Sequence, residues 1–208
     1  HMHVRKLPPV DVVLLSHDHY DHLCYETMKE LGAQRSSLGL RFIAALGVGA
    51  HLEKWGVPSS SITELEWWQQ LDVGSVKLTF APARHFTGRS MTNRFSTLWG
   101  SFVLQGKGKR IYFGADSGYS PTFKEIGERF GPFDLALLEC GAYSEYWPEI
   151  HLFPEETAQA ALDLRATVLM PIHWGKFALG LHPWKESIER ITKKAEELGL
   201  PLLTPRIG

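Results

Sequence analysis

The 208 residues hold 22 Lys+Arg against 23 Asp+Glu, a formal net charge of -1, with 44% hydrophobic and 22% charged residues. That balance is ordinary for a globular chain and excludes the basic field that nucleic-acid binding needs. Apolar runs such as Val10 to Leu15 (broken by Asp11) and Leu135 to Leu138 are far too short to span a bilayer.

In chain order, His1-Met2 reads as the remnant of an expression tag, and the rest as one domain over 1–208. Apolar runs alternate with amphipathic segments, the α/β pattern. Val10 to Leu15 predicts a buried strand, Tyr25 to Leu31 a helix closed by Gly32, and Arg41 to Ala45 a strand. Val48 to Trp55 predicts a short helix stopped by Gly56 and Pro58. Strands are expected at 62–67, 76–82 and 98–105, and Lys107-Gly108-Lys109 turns the last of these into a hairpin with 110–114. Further on come a helix over 122–130, a strand over 134–139, a helix over 154–165, a strand over 168–172 and an amphipathic helix over 183–198.

The chemistry concentrates in His17-Asp18-His19-Tyr20-Asp21-His22, directly after the first strand. In an extended segment His17 and His19 point the same way, so two imidazoles can meet one ion. The turn that follows can bring Asp21 and His22 to a second ion. Imidazole and carboxylate donors suit zinc, and also manganese or iron, and such a cluster is costly to bury without a cation. His85, Asp116 and His173 each lie at or just past the end of a predicted strand, where α/β sheets gather ligand loops.

This ordered set resembles the metallo-β-lactamase superfamily: HxHxDH, then a histidine, an aspartate and a histidine. The resemblance implies a four-layered αβ/βα sandwich in which His17, His19 and His85 hold one divalent metal, Asp21, His22 and His173 a second, and Asp116 bridges them. Zinc is the expected metal. The redox di-iron branch usually has glutamate where this chain has His19, which favours hydrolysis.

Leu7-Pro8-Pro9-Val10-Asp11, Leu98-Trp99-Gly100-Ser101, the run from Arg129 to Leu135 and Ile172-His173-Trp174-Gly175 are similar to one subfamily. It is the N-acylphosphatidylethanolamine-hydrolysing phospholipase D group and its bacterial relatives. Members carry a strand-rich stretch before the LPPVD segment; these residues lack it, which leaves open a sandwich incomplete at its N-terminus. They also have a more apolar segment where this chain has Glu139-Cys140.

The resemblance implies a binuclear hydrolase that cleaves a phosphodiester, phospholipase D-like, by a metal-bridging hydroxide. Asp21 would both ligate and orient that hydroxide, and His151 would donate a hydrogen bond or proton to the substrate oxygen. A lactone or ester hydrolase, or a truncated non-catalytic metal-binding protein, are the alternatives. The expected partners are a small-molecule or lipid-like substrate, a peripheral membrane contact, and a second copy covering an open sheet edge, with no nucleic acid.

Cys24 and Cys140 lack CxxC spacing and read as thiols of a reducing compartment, which together with the absence of a visible signal peptide predicts a cytoplasmic protein, with a peripheral membrane location expected from the lipid-like substrate. Trp67, Trp99 and Trp174 are expected in the core. Tyr143, Tyr146 and Trp147 could line a pocket, whereas Arg84, Arg89 and Arg94 default to solvated charges, and His51 and His182 to structural roles.

Overall fold

The computed structural model describes residues 4–35 and 39–205, so the expected tag remnant at 1–2 lies outside the described residues. Contacts within the chain gather into two compact units, residues 4–67 with 86–99, and residues 68–85 with 100–205.

The first unit is built by strand–helix–strand repeats. β1 (Val12–Leu15) leads through α1 (Tyr25–Arg35) to β2 (Arg41–Ala45), and α2 (Gly49–Lys54) leads on to β3 (Ile62–Leu65). The three strands pair in parallel, in the order β1-β2-β3. Parallel pairing requires helical crossovers and tolerates nearly continuous apolar strands, as in Phe42-Ile43-Ala44-Ala45, all buried. Met28 and Leu31 of α1 and Leu52 of α2 are buried as well. Burial of each such large side chain stabilises by about 2 kcal/mol.

The second unit carries a six-stranded mixed sheet in chain order: β4 (Gln70–Val73), β5 (Val76–Ala81), β6 (Ser101–Gly106), β7 (Lys109–Phe113), β8 (Leu135–Glu139) and β9 (Leu169–Ile172). β4 to β7 are antiparallel neighbours, and β7-β8-β9 are parallel. Strands 5, 7, 8 and 9 therefore run the same way, and their C-terminal ends meet at one end of the sheet. α3 (Thr122–Phe130), α4 (Pro154–Asp163) and α5 (Glu186–Leu198) complete the unit. Buried Ala158, Ala160 and Ala161 on α4 join Phe123 and Ile126 of α3, Ile191 of α5 and Ala136 and Leu138 of β8 in its core.

Most elements lie where the periodicity predicts them, with ends shifted by one to three residues, but α1 is a correction: it runs through Gly32 to Arg35 instead of closing at Gly32. β4 was not expected: Gln70-Leu71-Asp72-Val73 is half polar, and only its pairing with β5 makes it a strand. Helix α5 begins at Glu186 rather than 183. Trp67 is a correction, since it is 38% exposed and its indole donates to the Trp99 carbonyl rather than entering the core. Both cysteines are free thiols. Among the described residues no helix is long and apolar enough to cross a membrane.

Candidate metal centre

In the first unit, β1 ends at Leu15 and delivers the motif at the C-terminal end of a parallel strand. The chain then turns, with the backbone N–H groups of His22 and Leu23 donating to the His19 carbonyl. His17 and His19 converge, with Nε2 and Nδ1 3.1 Å apart, and the His17 and His22 rings lie 4.2 Å apart. Asp21 Oδ2 is 3.6 Å from His22 Nε2. The Ser16 hydroxyl lies 3.0 Å from His17 Nδ1, which fixes that ring by the nitrogen opposite the one facing His19.

Asp18 does not join the cluster. It is fully buried, and its Oδ1 accepts the Gly88 N–H at 2.8 Å. Arg89 overturns its expected solvated state. Its guanidinium donates to the Asp18 and Leu23 carbonyls at 2.7 and 2.9 Å and stacks over Tyr20 at 4.0 Å. Arginine thus pins the motif loop from both sides. Arg84 and Arg94 are also engaged, the first with Glu149 and the second over Phe86 and Phe95.

In the second unit, the common end of β5, β7, β8 and β9 collects His85, Asp116, Glu139 and His173. Asp116 stands between two histidines: its Oδ2 is 3.8 Å from His85 Nε2 and its Oδ1 3.6 Å from His173 Nε2. The His85 Nδ1 pairs with the Ile150 carbonyl at 3.0 Å. That hydrogen bond makes Nδ1 the donor and leaves Nε2 as the nitrogen turned to Asp116. Ala115 and His173 hold positive φ of 52° and 60°, the cost of turning these ligands sharply off strand ends.

His151, just before α4, is buried, and its Nδ1 lies 2.7 Å from Glu139 Oε1. Glu139, Asp116, His151 and His173 offer ligand atoms all within 4.8 Å of one another. Burial pushes the Glu139 carboxyl above the usual carboxylate range, against the pull of His151. Burial also opposes charge on His151, but the Glu139 carboxylate outweighs it and its pKa rises. The pair therefore retains a proton to higher pH than a lone histidine would.

Sequence reasoning missed Glu139 as a functional residue. The available signal was its place at the end of an apolar strand, the same place as the other donors.

The three aromatics that could line a pocket have separate surroundings. Tyr143 stacks on His182 at 4.0 Å and donates to Glu186 at 2.8 Å, Trp147 donates to the Ala142 carbonyl, and Tyr146 is 82% exposed.

The donor set fits divalent ions. Atoms bonded at about 2.1 Å to one tetrahedral ion lie ~3.4 Å apart. The His17–His19, His22–Asp21, His85–Asp116 and His173–Asp116 spacings of 3.1, 3.6, 3.8 and 3.6 Å bracket that value. Three of the four exceed normal hydrogen-bond length.

Comparison with known proteins adds four findings. A family model described as beta-lactamase superfamily domain matches residues 1–174. An uncharacterized protein of Mycobacterium tuberculosis is 47% identical over 206 residues, covering 97% of this chain and 54% of that protein. The mitochondrial N-acyl-phosphatidylethanolamine-hydrolyzing phospholipase D of Saccharomyces cerevisiae is 34% identical over 202 residues, covering 93% of this chain and 42% of that protein. The chain thus spans about half the length of the curated relatives it matches. Among solved structures, the metallo-beta-lactamase fold protein YhfI from Bacillus subtilis aligns with a TM-score of 0.70 at 19% identity, over 99% of this chain and 77% of that one.

Proposed function

The chain belongs to the beta-lactamase superfamily and has its metallo-β-lactamase fold, and from that premise we propose a binuclear metal-dependent hydrolase. His17, His19, His85 and Asp116 Oδ2 would hold one ion, and Asp21, His22, His173 and Asp116 Oδ1 the other. The observation that carries this reading is Asp116, whose two oxygens each face a different histidine at ligand-like spacing.

Bound divalent ions, zinc by preference for this nitrogen and oxygen set, would supply Lewis acidity and lower the pKa of water. The protein's own groups do the rest. Asp21 accepts a hydrogen bond from the attacking water and orients it. His151, its Nδ1 donating to Glu139 and its ring in the doubly protonated form, gives the Nε2 proton to the leaving oxygen. The substrate class proposed is a phosphodiester of phospholipid type, supported by the resemblance to the phospholipase D of yeast.

The test is metal content measured together with hydrolysis of bis(p-nitrophenyl) phosphate, in the chain and in His17→Ala and Asp116→Asn. Near two ions per chain and a loss of at least about 100-fold in kcat/KM in both variants is expected. Two ions with turnover of lactones but not of phosphodiesters would overturn the substrate class, and no bound metal would overturn the whole reading.

A further inference from the structure

Glu139 is a costly residue to keep. Its side chain is fully buried at the end of β8, in a position that only a carboxylate with several partners can occupy without a large desolvation penalty. Those partners are specific. Oε1 accepts from His151 Nδ1 at 2.7 Å, from the Ser117 N–H at 3.1 Å and from the Leu152 N–H at 3.4 Å. Two of the three donors sit next to proposed functional residues, Ser117 after Asp116 and Leu152 after His151. The other oxygen, Oε2, has no hydrogen-bond partner among the described residues and lies 3.9 Å from His173 Nδ1. Thr157 fixes the backbone of Glu139 by donating its hydroxyl to the Glu139 carbonyl at 2.8 Å.

We propose that Glu139 is a positioning residue serving two histidines: it holds His151 with Nδ1 protonated, so that Nε2 is the nitrogen offered to substrate, and it sets the ring orientation of His173 from behind. Carboxylates that accept from the far nitrogen of a working histidine fix its tautomer and its ring plane. A single carboxylate reaching both rings explains why they lie nearly parallel, 5.8 Å apart at 11°. It also explains why an apolar side chain at 139 would leave the Ser117 and Leu152 amides without their acceptor. The functional half of this inference rests on the hydrolase reading; the tautomer half does not.

The experiment follows that division. Long-range proton–nitrogen correlation spectra of the ¹⁵N-labelled, chelator-treated chain, with His151→Gln used to assign the ring, read the tautomer without metal or substrate. A His151 Nδ1 proton shifted far downfield is expected in the wild type, and its loss with growth of the Nε2–H form in Glu139→Gln. A wild-type His151 whose Nδ1 carries no proton overturns the proposal, and that spectrum decides even if the variant does not fold. In the metal-loaded protein, Glu139→Gln is expected to keep two ions and near-wild-type KM while kcat falls about 10- to 100-fold. Loss of an ion with His151 unchanged would make Glu139 a ligand instead and overturn its positioning role. Absence of any wild-type turnover would count against the hydrolase reading alone.

Discussion

At the scale of single residues, the site is fixed by backbone as much as by side chains. His173 holds φ of 60°, and Gly141 is the reason it can: a Cβ at position 141 would overlap the His173 carbonyl oxygen and sit 2.7 Å from Trp174 Cα. Gly141→Ala must therefore push the His173 backbone away, and both atoms it meets are main chain, which cannot rotate aside. The expected cost is about 1–3 kcal/mol of stability, read in thermal melts of the metal-free chain, with weaker metal binding in titrations of the folded variant. A variant as stable as wild type would show that the turn has more room than its geometry allows.

The same scale explains what the sequence conceals. His17, His19, Asp21 and His22 announce themselves because they fall within six positions. Glu139 is 12 residues from His151 and 34 from His173, and no spacing rule connects them. Arg89 likewise reads as an ordinary loop charge until Asp18, Leu23 and Tyr20 are found around it.

At the scale of elements, α4 and α5 are tied by Arg190. Its guanidinium makes paired bonds to Glu155 on α4, at 3.0 and 2.7 Å, and a third to Glu186 on its own helix at 3.0 Å. Hydrogen bonding from Arg190 holds the Glu155 carboxyl below its ordinary value of 4.5, while that from Tyr143 and then Arg190 lowers Glu186. Folded pKa values that are depressed give stabilisation that is complete above the unfolded pKa and lost as pH falls through the folded one. Arg190→Met should thus cost about 1 kcal/mol at pH 7, the upper end for an ion pair this exposed, or ~2–4 °C in Tm. The difference from wild type should shrink as pH falls below 4.5. A gap that stays constant to pH 3 would assign the effect to lost packing.

Element types were legible because the two periodicities differ: Phe42-Ile43-Ala44-Ala45 has no helical stripe, whereas α5 repeats its buried positions at Ser187, Ile191 and Ala195. Element ends were not, because they depend on tertiary partners. Strand β6 begins only at Ser101, which pairs with Ala81, and Leu98 belongs to a different unit, where its N–H donates to Leu46.

At the scale of the whole molecule, the proposed ions would bind the folded chain and not the unfolded one, and this has a thermodynamic corollary. An ion bound only by the folded chain adds about 2.7 kcal/mol to apparent stability at 100-fold excess over its Kd. Chelation should accordingly lower Tm and raise amide exchange in the sheets whose strand ends carry the proposed ligands, β1–β2–β3 and β7–β8–β9; a Tm and exchange pattern unchanged by chelation would mean that no ion is bound. The ordered run of histidines and aspartates made the family readable from sequence, but the division into two units was not, since the first is interrupted by residues 68–85 of the second.

Cys140, fully buried beside Glu139, has its thiol pushed far above the usual range by burial, whereas Cys24 is only half-buried. The two thiols thus divide into one that a maleimide dye meets in the native state and one that it meets only after the second unit opens. No cysteine has to be removed to use that difference: the first equivalent of dye marks the chain, and the slow uptake of the second is a clock for exposure of the strand that carries Glu139.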